Sequence, residues 1–312
     1  MPLGRCRLAG MRKPSIASRP LVYRSCLAAI VGVLFLVACG VPDPVLPPPP
    51  SVDLQAAAQR GHDLVTGLGA CGFCHSMDGN TTSALSGGRL MRDKYGEVRG
   101  PNITLAKSGI GEWSETALKT ALRSSVRPDG SNFSAERHRG FEWLADADIS
   151  AITVYLRSLS AAENEVQARS LSFIDRNTTG FFDSKVEVRG VIPALSPAFK
   201  AEYGQYLTDH VARCGSCHSK PGGIFSSEEY LAGGREISFD GEDKLAPNIT
   251  SSNSAGIGSW SEQALKDFLR SGRAPNGREV DSRFCPVQFY ARAPQNHIDS
   301  IVAYLRTVPA IN

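Results

Sequence analysis

Two short clusters, Cys71-Gly72-Phe73-Cys74-His75 and Cys214-Gly215-Ser216-Cys217-His218, each set two thiols and an imidazole within five residues. The Cys-x-x-Cys spacing puts the thiols about one helical turn apart. Both can then add to the vinyl groups of one porphyrin while the adjacent histidine swings onto the iron. In an exported chain the pattern reads as c-type haem attachment. The clusters therefore predict two covalently bound haem c groups, attached at Cys71, Cys74, Cys214 and Cys217, with His75 and His218 on the irons. Zinc asks for four grouped ligands, and each half offers two cysteines and one adjacent histidine. A thioredoxin-like dithiol belongs to a βαβ pattern that is missing here. Plain disulfides are the remaining alternative.

The elements that must position these clusters are repeated along the chain. The cysteine clusters recur at an offset of 143, Gly87-Gly88-Arg89 recurs as Gly233-Gly234-Arg235, and Pro101-Asn102-Ile103-Thr104 as Pro247-Asn248-Ile249-Thr250, both at 146. Gly109-Ile110-Gly111 with Trp113-Ser114-Glu115 returns at 147, and Tyr155-Leu156-Arg157 at 149. A slow drift in offset with the order kept means a duplicated domain with small loop insertions. The predicted organisation is a first domain over 52–160, a connector over 161–197 and a second domain over 198–312. Each half reads as mostly helical, and the expected fold class is all-α. One helix precedes the cysteines. A second starts after a Ser114 or Ser261 cap. A third opens near Asp146 or Asn296, with Ile149, Ile152, Tyr155, Leu156 and Leu159 at helical spacing.

The first 51 residues read differently. Arg5, Arg7, Arg12, Lys13, Arg19 and Arg24 precede a 12-residue apolar run, Leu27 to Ala38, in the order of a secretory signal. A spanning helix needs roughly 20 apolar residues, so a signal core fits better. Leu36-Val37-Ala38-Cys39-Gly40 resembles the bacterial lipobox, which implies a signal over 1–38 and membrane attachment through a lipidated Cys39. Val41 to Ser51 holds six prolines and reads, with Cys39 and Gly40, as a stiff tether over 39–51. Removing residues 1–38 takes six basic residues and no acidic ones, so the formal charge of +3 becomes −3. Nothing in that balance favours nucleic acid as a partner. Of the eight cysteines, Cys285 is left unassigned.

With the haem motifs, the Pro-Asn-Ile-Thr, Gly-Ile-Gly-x-Trp-Ser and Tyr-Leu-Arg segments make the chain resemble diheme cytochromes c of bacterial respiratory and dehydrogenase chains. The resemblance covers nearly all of 52–160 and 198–312. It implies His75 and His218 as proximal ligands, a close crossing of first and last helices at Gly61 and Gly204 near Tyr155 and Tyr304, and a backbone contact from Pro101 or Pro247 that orients each histidine ring. It also implies a periplasmic, lipid-anchored protein of a Gram-negative bacterium whose partners are a dehydrogenase or quinol-linked donor and a downstream cytochrome or oxidase.

The sixth ligand departs from the pattern, which calls for methionine between the second and last helices. The four methionines are Met1, Met11, Met77 and Met91, and none lies after residue 91. The repeat aligns His138 with Cys285 at one offset and with Val287, where the pattern puts methionine, at the other. His138 is the candidate sixth ligand of the first haem, with Met91 or an open face as alternatives. Cys285 is either a thiolate ligand of the second haem or a small buried hydrophobe. No nucleophile triad, phosphate loop or carboxylate pair is evident, so no catalytic residue is assigned and electron transfer leads. The rivals are a redox enzyme acting on a small sulfur compound at a cysteine-ligated haem, a diheme peroxidase, and a sensor with a vacant haem.

Overall fold

The structure is a computed structural model and describes residues 53–93, 95–133, 135–173, 188–220, 222 and 227–312. The signal over 1–38 and the whole tether over 39–51, Cys39 included, lie outside the described residues, as does 174–187 of the connector. No described helix is long and apolar enough to cross a membrane.

Helix α1 (Leu54–Asp63) opens on Asp53, whose carboxylate accepts from the Gln55 and Ala56 amides. It runs into a π-helical turn, Leu64–Leu68, and reaches the first motif as α2 (Cys71–His75). There follow β1 (Leu90–Asp93), β2 (Gly96–Arg99), α3 (Glu115–Ser124), α4 (Ala135–His138), a 3₁₀ turn (Phe141–Trp143) and α5 (Asp146–Arg157). The second half repeats the order: α6 (Lys200–Tyr206), a π-helical turn (Leu207–Val211), α7 (Gly215–His218), β3 (Glu236–Phe239), β4 (Glu242–Leu245), α8 (Glu262–Ser271), α9 (Val287–Tyr290) and α10 (Gln295–Leu305).

The shared segments account for the shared shape. Ser114 and Ser261 cap α3 and α8 by accepting from the Ala117 and Ala264 amides, each at 3.1 Å. Both helices end on a left-handed residue, Ser125 or Gly272. In each half the first helix crosses the last, α1 on α5 and α6 on α10. The crossing needs glycine: a Cβ at Gly61 would lie 2.0 Å from the Ala151 carbonyl oxygen, and one at Gly204 1.9 Å from that of Ser300. Tyr155 and Tyr304 flank the two contacts, as the resemblance implies. From the last helices, Arg157 and Arg306 donate to the Trp113 and Trp260 carbonyls and so pin the Gly-Ile-Gly-x-Trp loops.

The expectation of an all-α fold is corrected: the chain is helix-rich and carries a four-stranded antiparallel sheet, ordered β2-β1-β3-β4. Each strand has four residues, too few for alternation to stand out in sequence. The central pairing, Met91 with Phe239, joins a hairpin of one half to a hairpin of the other.

Other contacts between the halves are reciprocal. The turn Phe141–Trp143 packs on Leu207–Val211, and α9 packs on Leu64–Leu68. Arg89, 1% exposed, donates to the Phe73 and Arg283 carbonyls and pairs with Asp240 at 3.0 Å. At the helix crossings, Asp148 accepts two bonds from Arg60, at 2.8 and 2.9 Å, and one from the Tyr206 hydroxyl at 2.7 Å. His297 Nε2 lies 2.9 Å from Arg60 Nη1 and 3.1 Å from the Tyr203 hydroxyl. Residues of the connector bond to the first half: Glu163 accepts from Lys107 and Ser108, Arg169 pairs with Asp93, and the Ile192 carbonyl accepts from Asp146 N.

Candidate haem sites

The π-helical turn lets the first helix overrun and then reverse into the motif. The reversal falls on the residue before the first cysteine, Ala70 or Arg213, and both are left-handed, with φ of 44° and 52°. From there α2 and α7 set their cysteines and histidine on one short helix each. All five described cysteines are free thiols. No group of three or more His, Cys, Asp or Glu side chains among the described residues is arranged to hold a metal ion.

The two motif histidines have the same surroundings. His75 Nδ1 lies 2.8 Å from the Pro101 carbonyl oxygen, and His218 Nδ1 lies 2.8 Å from that of Pro247. A carbonyl can only accept, so Nδ1 carries the proton and Nε2 keeps its lone pair for a metal. Burial holds both imidazoles below their usual pKa, against the opposing pull of those carbonyls. The loop that brings the carbonyls is braced identically. Asn102 Oδ1 accepts from the Thr104 amide and hydroxyl while its Nδ2 donates to the Ala162 carbonyl; Asn248 does the same for Thr250 and Ile311. The Pro-Asn-Ile-Thr segment is thus the histidine-orienting device of both halves.

On the far side of the first motif stands His138. Its ring centre is 6.1 Å from that of His75, with the planes inclined at 57°. Metal bonds of about 2 Å to one nitrogen of each ring place two imidazole centres about 6 Å apart, so one metal fits between them. The ring of His138 sits edge-on to Phe133 and Phe141, at 4.8 and 5.4 Å. Its Nδ1 is buried without a hydrogen-bond partner, and burial pushes its pKa well down, with His75 and Arg213 adding repulsion. Arg137 Nε and Arg213 Nε are likewise buried and unpartnered. Three of the five such atoms among the described residues thus gather at the first motif, where a haem would supply a metal for the imidazole and its carboxylates acceptors for the guanidinium groups.

In the second half, burial pushes the Cys285 thiol up to about 12, with Cys217 adding to the effect. The Tyr290 hydroxyl is pushed well up by burial and by Cys214, Cys285 and Cys217. Cys285 therefore lies close to the cysteines of the second motif. The motifs themselves are neighbours, since Cys217 acts on Cys74. The methionines lie elsewhere: Met91 is buried on β1 in the seam between the halves, and Met77 is 63% exposed. Sequence reasoning passed over Arg213; its one signal was a charged residue where the first half has Ala70.

No protein-family model matches the chain. It is 28% identical over 293 residues to the fructose dehydrogenase cytochrome subunit of Gluconobacter japonicus, covering 90% of this chain and 59% of the relative. It is 29% identical over 276 residues to a nicotinate dehydrogenase subunit of Pseudomonas putida, covering 85% and 22%. Against a diheme cytochrome c-type protein of Cereibacter sphaeroides it is 27% identical over 270 residues, covering 83% and 88%. The chain spans about three fifths of the first of these relatives and about a fifth of the second.

Proposed function

We propose that the chain is an electron-transfer protein with two haem c groups, one bound to Cys71 and Cys74 with His75 on the iron, the other to Cys214 and Cys217 with His218. His138 is the sixth ligand of the first. The two haems form a short relay from a dehydrogenase to a downstream cytochrome or oxidase. One observation carries the reading: in both halves a backbone carbonyl fixes the motif histidine with Nε2 free, and in the first a second imidazole faces it at one metal's spacing.

The haem supplies a reversible one-electron couple, and the residues set its terms. Imidazole ligation and burial tune the potential, and the Pro101 and Pro247 carbonyls raise ligand basicity through Nδ1. The neighbouring positions of Cys74 and Cys217 support electron exchange between the two haems. The named relatives are a cytochrome subunit and another subunit of dehydrogenases and a diheme cytochrome, which supports a dehydrogenase donor and lends nothing to the sulfur-substrate alternative. Membrane attachment through Cys39 belongs to the same proposal and rests on the lipobox-like segment, while a periplasmic location rests on the signal-like run before it and on the haem motifs.

The test is the full chain matured with the c-type haem machinery, assayed for haem per chain and for carbon monoxide binding in the ferrous state. Two haems per chain are expected, with the first haem inert to the gas until His138→Ala opens it. Fewer than two haems, or a first haem that stays closed in His138→Ala, overturns the reading at that site.

A further inference from the structure

Ala70 and Arg213 occupy equivalent positions, each a left-handed residue before the first motif cysteine. Ala70 is buried where it stands. The side chain of Arg213 instead leaves its own half. Its guanidinium carbon lies 4.1 Å from the centre of the Phe141 ring, and Nη1 donates to the carbonyl of Arg137, the residue before His138. Gly140 closes over the arm so tightly that a Cβ there would come within 3.0 Å of Arg213 Cγ. The His210 ring, one turn earlier, lies 3.2 Å from the Gly140 carbonyl oxygen. The segment Arg137 to Phe141, which holds His138, is thus gripped from the other half.

We propose that Arg213, from the second haem-attachment segment, is a positioning residue of the first haem site, holding the Arg137 to Phe141 segment so that His138 faces His75. This rests on the reading of His138 as a ligand. His138 ends a four-residue helix in a long loop, and a ligand on such a segment swings away unless the segment is tied down. Arginine suits the task because one planar group stacks on a ring and donates to a carbonyl at once. The device also couples the halves: the first haem takes its sixth ligand only when the second half is docked.

The experiment compares haem-loaded full-length protein of wild type, Arg213→Ala, Arg213→Met and His138→Ala, reading the ferric low-spin fraction and carbon monoxide uptake by the ferrous form. Arg213→Met keeps the arm's length and apolar packing, so it reports on the donor and stacking group if the alanine variant folds poorly. Either Arg213 variant is expected to raise the gas-reactive fraction of the first haem at least tenfold and give a high-spin component, with two haems per chain retained. If His138→Ala opens the haem and both Arg213 variants stay closed, the role of Arg213 is refuted and His138 stands. If His138→Ala leaves the haem closed, the ligand reading falls and this inference with it.

Discussion

The two halves agree where each must hold a histidine and differ where they touch each other. Pro101 and Pro247, Asn102 and Asn248, Arg157 and Arg306, and Ser114 and Ser261 make the same bonds in both. At the seam the equivalent residues are unlike. Arg60 and Asp148 of the first half correspond to Tyr203 and His297 of the second, and all four meet in one cluster with Tyr206. Reciprocal docking sets equivalent residues near one another. Had both halves kept the Arg and Asp pair, two guanidinium groups and two carboxylates would share one buried cluster at a heavy desolvation cost.

The most drastic loss is expected in what the halves share. Cys71→Ala with Cys74→Ala, and separately Cys214→Ala with Cys217→Ala, should each lower covalent haem from two per chain to one, read by pyridine haemochrome and intact mass. Retention of both haems in either variant would show that the halves are not equivalent attachment sites.

Next comes the charged member of the seam. Asp148 is 5% exposed and accepts three bonds. Asp148→Ala leaves Arg60 without its carboxylate and should cost about 4 kcal/mol in a urea titration. A cost below about 1 kcal/mol would mean that water replaces the carboxylate and that the seam is looser than its bonds suggest. The helix crossings probe likeness instead of difference. Gly61→Ala and Gly204→Ala each force a methyl into a backbone carbonyl within about 2 Å, and each should destabilise by about 3 kcal/mol, at the upper end of overpacking. Unequal costs would show that one crossing can slide and the other cannot.

What was legible in the sequence follows the range of the interaction. The Ser114 and Ser261 caps act over three residues, the Gly61 and Gly204 crossings are flagged by a repeated glycine, and the helix starts at Asp146 and near Asn296 follow from periodicity. The two Cys-x-x-Cys-His clusters stood out because residue type and spacing mark them, and His138 was singled out by its place in the repeat; the structure sets its ring 6.1 Å from that of His75. The sheet was not, since four-residue strands leave no pattern and the pairing of Met91 with Phe239 spans most of the chain. His297 read merely as a residue opening a helix, and Arg213 not at all. Both act on partners more than 70 residues away, and only docking of the halves brings those partners near.

The smallest effect tests the neutral member of the seam through pH. His297 is 3% exposed, and burial first, then the Arg60 charge, lower its pKa to about 4, while Asp63 and Asp148 pull the other way. Arg60 can only donate, so Nε2 accepts and carries no proton, and the folded protein holds a neutral ring whose Nδ1 has no partner. In the unfolded chain the ring takes a proton at about 6.5. Between those values the unfolded state binds more protons than the folded state, so stability rises with pH and is lost as pH falls from about 6.5 towards about 4. At about pH 5 the loss is about 2 kcal/mol relative to neutral pH. His297→Gln, which keeps an acceptor for Arg60 and Tyr203 and cannot titrate, should flatten that part of the profile in urea titrations across the range. An unchanged slope in His297→Gln would mean that the ring is charged when folded. The seam would then hold two adjacent cations against one aspartate, and the halves would differ in residue type but not in charge.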